Sequence, residues 1–146
     1  MKYLGCSGNL FTSVDFLNTL PNPEKLTKLN IKDNNIQPTD IEIFRKFTNL
    51  ETLNIGTSEI ALKVGKLNKF YGSLKSYQNL TKLEAICIES TDVDEGLEYL
   101  PRSLVELTSG RIEPLPYSFR CLPHIPEAKV KAIRDQLRPF NYDLEA

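Results

Sequence analysis

The chain has 146 residues, 40% of them apolar and 25% charged, a composition that fits one folded domain. Its 18 basic and 19 acidic side chains leave a net charge of −1, so no electrostatic pull toward nucleic acid or an anionic membrane is expected. No apolar run approaches the ~18 residues of a membrane span, and three widely spaced cysteines do not make a disulfide framework, which points to a reducing, cytoplasmic address.

The first eleven residues set Met1, Leu4, Cys6, Asn9 and Phe11 in a frame that recurs. The opening MKYLGC is too short before Gly5-Cys6 to be a lipoprotein leader, which needs an apolar region of about 7–15 residues; Cys6 is expected in the core. Because the chain opens inside this frame, it reads as a piece of a longer array. Phe16, Leu17 and Leu20 then predict a short helical turn, ended by Pro21 and Pro23.

Leu26, Leu29, Ile31, Asn34 and Ile36 fill the frame again. Thr39-Asp40-Ile41-Glu42 reads as a capping box with Thr39 as N-cap. Ile41, Phe44 and Phe47 follow as one buried helical face. The third copy is Leu50, Leu53, Ile55, Ser58 and Ile60. Residues 61–80 form a longer stretch, with Leu67, Phe70, Tyr71, Leu74 and Tyr77 at helical spacing and Gly72 as a weak point. Either a protruding contact surface or a helix packing its aromatics into the core fits it.

The fourth copy is Leu83, Ile86, Ile88, Thr91 and Val93. Acidic residues over 92–98 suit the first turn of a helix rather than a calcium loop. A fifth copy begins at Leu104 and Leu107 and decays, with Ser109, Ile112 and Pro114 in its later slots. Pro114, Pro116, Pro123 and Pro126 should break regular structure, and residues 127–138 read as a terminal helix. The copies start at 1, 26, 50, 83 and 104, so the third unit carries an insertion.

The stretch Leu-Thr-Lys-Leu-Asn-Ile-Lys-Asp-Asn-Asn-Ile over 26–36 resembles the leucine-rich repeat pattern L-x-x-L-x-L-x-x-N-x-L. The segments LNIKDNNIQPTDIEIFRKFTNLETLNIG and ESTDVDEGLEYLPRSL resemble repeat arrays of fungal proteins, some of them joined to protein kinase domains. The resemblance covers about residues 1–113. It implies an α/β fold, a leucine-rich repeat solenoid whose right-handed β-α superhelix carries a short parallel concave sheet and convex helices. Two segments follow: the array at 1–113, and a Pro-rich stretch with a capping or linker helix at 114–146.

The implied function is a non-catalytic protein-interaction module that holds a protein or peptide on the concave sheet. The alternative is a structural or regulatory repeat segment of a larger protein such as a kinase. In this frame Tyr3, Lys28, Asn30, Lys32, Thr52, Asn54, Cys87, Glu89, Glu106 and Thr108 face outward on that sheet. The chain contains no phosphate-binding glycine loop. His124 is the single histidine, and its spacing from the cysteines makes no zinc site. Neither catalysis nor a cofactor, metal, nucleic acid, membrane or small-molecule substrate is therefore expected.

Overall fold

A computed structural model describes residues 2–96, 99–109 and 117–120. The chain passes back and forth between two sheets. The front sheet holds β1 (Tyr3–Gly5), β2 (Lys28–Asn30), β4 (Thr52–Asn54), β6 (Ala85–Cys87), β8 (Glu106–Ser109) and β9 (Tyr117–Arg120), in that order. The back sheet holds β3 (Thr39–Asp40), β5 (Phe70–Ser73) and β7 (Asp92–Glu95). Neighbours pair in parallel, except that β9 runs antiparallel to β8.

The strands form where an apolar residue is flanked by outward-facing ones. Leu4, Leu29, Leu53, Ile86 and Leu107 stand in register across the front sheet. From Leu29 onward that row is buried. Residues two places on, Ile31, Ile55 and Ile88, extend it. The back of the molecule supplies the other half of one core through Ile41, Phe44, Phe47, Phe70, Leu74, Tyr77 and Val93, each no more than 2% exposed. Phe44 and Phe70 meet edge to face, with ring centroids 5.5 Å apart. Losing one such ring costs about 3–5 kcal/mol.

This architecture corrects the expectation of a leucine-rich repeat solenoid. Two separate parallel sheets replace one concave sheet backed by convex helices. The physical reason lies in residue spacing. Ile41, Phe44 and Phe47 recur every three residues, the period of a 3₁₀-helix, whose i and i+3 side chains eclipse into a single row. The chain accordingly forms 3₁₀ turns at Asp15–Thr19, Pro23–Lys25, Ile41–Lys46 and Leu74–Tyr77. Extended segments before, between and after the last two of these turns pair into the back sheet. The one α-helix among the described residues, α1 (Glu59–Lys63), spans 5 residues.

Several local expectations shift with it. The N-cap of the 41–46 turn is Asp40, whose carboxylate accepts the Glu42 N–H at 2.9 Å; the Thr39 hydroxyl turns back to the Gln37 carbonyl. The acidic run begins with strand β7, where a helix start was expected. The long stretch at 61–80 divides into the end of α1, strand β5 and a 3₁₀ turn, and its aromatics Phe70 and Tyr77 pack into the core. Gly72 has φ +121°, and a Cβ there would lie 2.6 Å from Asp40 Oδ1, so glycine is required where β5 passes β3. Strand β9 forms between Pro116 and Pro123, where the prolines predicted irregular chain. The helix expected at 127–138 and His124 lie outside the described residues.

Candidate interaction surfaces

Eight of the ten residues expected to face outward stand on strands of the front sheet, in cross-strand rows. Tyr3, Lys28, Thr52, Ala85 and Glu106 form one row. Gly5, Asn30, Asn54, Cys87 and Thr108 form the next. Past the strand ends, Lys32, Gly56 and Glu89 are brought side by side, because Asp33 N–H bonds the Gly56 carbonyl and Thr57 N–H bonds that of Glu89.

Two of the four charged residues expected on this face pair with each other. Glu89 reaches over Gly56 to Lys32, with Nζ and Oε2 3.6 Å apart and side-chain exposures of 26% and 8%. A Cβ on Gly56 would stand 2.9 Å from both Glu89 N and Glu89 O, so only glycine admits the crossing. Burial pushes the Glu89 carboxyl up, and the nearby Lys32 ammonium pulls it part of the way back. The Cys87 thiol points at Glu89 Oε2, 4.0 Å away. Burial pushes this thiol up too, against the lowering influence of a backbone hydrogen bond at Glu89 and of Lys32. Asn30 folds onto its own strand, accepting the Lys32 N–H at 3.1 Å. Asn54 Oδ1 is buried with no hydrogen-bond partner, an arrangement that costs about 1–3 kcal/mol.

The function expected of a concave repeat sheet is corrected on these grounds, along with its alternative as a repeat segment of a kinase-like protein. Both rested on a leucine-rich repeat fold. The structure has two sheets, and the front one bonds its central charges to each other. The residues are coplanar as the frame required, but their alignment does not display a free charge strip running from positive to negative.

A second surface lies in the third unit, where the insertion has other bounds than the 61–80 stretch expected. The third unit's turn asparagine is Asn68, not Ser58. Its Nδ2 donates to the carbonyls of Ile31, Ile55 and Gly56, and its Oδ1 accepts the Ile36 N–H. The following apolar slot is Phe70, fully buried, while Ile60, expected in that slot, is 78% exposed. Residues 58–67 are therefore the insertion, looped out between Thr57 and Asn68.

The insertion has a fixed base and an apolar tip. Asp33, at φ +59°, accepts both the Ser58 N–H at 2.6 Å and the Ser58 hydroxyl at 2.9 Å. Ser58 in turn caps α1 by accepting the Ala61 N–H at 3.3 Å. On the return, Leu67 N–H bonds Asn35 Oδ1 and Asn68 N–H bonds the Thr57 hydroxyl. Above this base, Ile60 and Val64 stand one helical turn apart, 78% and 69% exposed. The signal that could have found it was the long third spacing together with Asn68-x-Phe70, which repeats Asn34-x-Ile36.

Among the described residues, no group of acidic, histidine and cysteine side chains could hold a metal ion, and no helix is long and apolar enough to cross a membrane. Comparison with protein-family models, with curated proteins and with solved structures finds no match to this chain.

Proposed function

We propose that the chain is a non-catalytic binding protein that docks a protein partner through the inserted helix α1. The observation that carries this reading is the exposure of Ile60 on α1 and of Val64 at its C-cap, above a base held by Asp33, Asn35 and Thr57. An exposed apolar pair at i, i+4 fits a cleft on another protein. A base fixed by hydrogen bonds limits the ordering cost on binding.

A binding role without catalysis is supported by Cys87. Its thiol is pushed up by burial, so at neutral pH it holds little of the thiolate that nucleophilic chemistry uses. Cys6 and Cys87 are both free thiols, which favours a reducing, cytoplasmic setting. The near balance of 18 basic and 19 acidic side chains favours a protein partner over nucleic acid or membrane.

The test places a photocrosslinking residue at position 63 on α1, with position 105 as an exposed control. Proteins captured at 63 but not at 105 should be lost when Ile60→Asp and Val64→Asp are added to the same chain, which should keep the wild-type circular dichroism spectrum. If the double variant captures the same proteins in the same amounts, this reading is wrong.

A further inference from the structure

Away from the front sheet, the 3₁₀ turns Ile41–Lys46 and Leu74–Tyr77 leave a groove of about 620 Å³ between them. Three of its lining side chains are basic, Arg45, Lys46 and Lys75, and one is acidic, Glu42. The partners of the lysines are neutral. Lys46 donates to Asn18 Oδ1 at 2.7 Å, and Lys75 stands 5.0 Å from the centroid of the Tyr99 ring. Such contacts position an ammonium without cancelling its charge. Arg45 alone meets a carboxylate, Glu42 Oε1 at 3.0 Å, with both side chains more than half exposed. The groove therefore carries an excess of two positive charges.

The rest of its lining narrows the ligand. Thr48 and Ser76 bring hydroxyls, Gln78 and Asn79 bring carboxamides, and Leu80 is the single aliphatic residue. Among its described lining residues there is no aromatic ring, so they offer no platform to a nucleobase. Hydroxyl and amide groups match a polyol, and a guanidinium with two ammonium groups matches phosphate. The volume falls within the range of small-ligand sites, about 300–1,000 Å³, well above what a lone inorganic anion fills. The geometry points to a binding site for a phosphorylated sugar or polyol, separate from the partner-docking helix. Glu42 is the internal competitor: a bound phosphate takes over Arg45, and the carboxylate swings away.

This arrangement fixes the sign of each substitution. Arg45→Ala and Lys75→Ala should each weaken binding, by roughly fivefold for an exposed charge contact. Glu42→Gln should tighten it, by roughly two- to fivefold on the same scale. A merely structural role for Glu42 would not give that increase.

The experiment is calorimetric titration of the full chain at low salt with fructose 1,6-bisphosphate, with inorganic phosphate and fructose as separate arms. The expected result is saturable one-site binding of the bisphosphate, weaker binding of phosphate, none of fructose, and the three variant effects above. Lys63→Ala, on α1, should change nothing. Three results would each overturn the proposal: bisphosphate binding no tighter than phosphate, Glu42→Gln without a gain in affinity, or displacement by a tetraglutamate peptide at equal concentration.

Discussion

Asn34 and Asn68 make the same set of bonds in successive layers by different routes. Asn34 Nδ2 donates back to the preceding layer at the Cys6 carbonyl and to its own layer at Ile31 and Lys32; its Oδ1 accepts the Phe11 N–H. Asn68 repeats this with Ile31, then Ile55 and Gly56, and the Ile36 N–H. Both side chains are fully buried. Asn34 follows Asp33 directly, whereas Asn68 is reached from Thr57 only after the looped-out residues 58–67. The fold thus selects a carboxamide by where it arrives in space. Loop closure tolerates the difference, since each doubling of loop length costs only about 0.6 kcal/mol.

The strongest way to break this equivalence is to remove the carboxamides. Each change strands several buried backbone groups, at about 1–3 kcal/mol per group. Asn68→Ala should therefore cost about 3–5 kcal/mol. Asn34→Ala, whose bonds are partly less buried, should cost somewhat less. Urea unfolding midpoints measure both, and an Asn68→Ala midpoint equal to wild type would show that the match is geometric coincidence.

A smaller effect concerns the ring that backs both layers. The Tyr77 hydroxyl donates to the Ile41 carbonyl at 2.9 Å, fully buried. Burial first, and the charge of Asp40 second, push this phenol well above its ordinary 10.0. The folded state thus favours the neutral ring: its contribution is complete below pH 10 and is lost as pH rises beyond it. Tyr77→Phe should cost about 1 kcal/mol at neutral pH and should flatten the alkaline loss of stability. Thermal melts of both proteins from pH 8 to 11 compare the slopes.

Deleting residues 58–67 sharpens the comparison further. Joining Thr57 to Asn68 recreates the Asp33-Asn34 connection. The shortened chain should still unfold in one cooperative step, at a cost of about 1–2 kcal/mol from the lost Asp33–Ser58 bonds. A broad or absent transition in circular dichroism would mean that the insertion builds the layer rather than decorating it.

The smallest effect is expected at Glu89. Its carboxyl sits above its ordinary 4.5 because burial outweighs the pull of Lys32. Stability from this group is present below that ordinary value and is lost as pH rises through the raised one. Glu89→Gln should leave stability at pH 7 unchanged or slightly higher, and should remove the relative gain of wild type on the acid side. Urea midpoints at pH 4 and pH 7 decide it.

What the sequence disclosed follows from what a periodic pattern encodes. The L-x-L segments fixed the front strands and their register, and Leu53, Ile86 and Leu107 face the core as the frame required. The back was illegible because Asp40, Tyr71 and Asp92 carry no shared motif; they pair because the turns bring them level. Ser58 and Ile60 were misplaced because they imitate the frame at the expected distance, while the true partners Asn68 and Phe70 stand beyond it. The groove was hidden for a related reason, since Arg45 and Lys75 belong to different layers. The outward rows of the front sheet were readable as positions, whereas the Lys32–Glu89 contact depended on Gly56 leaving room for it.

Strand β9 has a consequence for assembly. It runs against the other five strands of its sheet, so among the described residues the two outer strands of that sheet, β1 and β9, have opposite polarity. Stacking copies end to end would set β1 of one molecule antiparallel to β9 of the next if the copies kept a common orientation. That joint would be antiparallel, unlike the four parallel joints among β1, β2, β4, β6 and β8, so a head-to-tail stack would alternate the two hydrogen-bonding patterns.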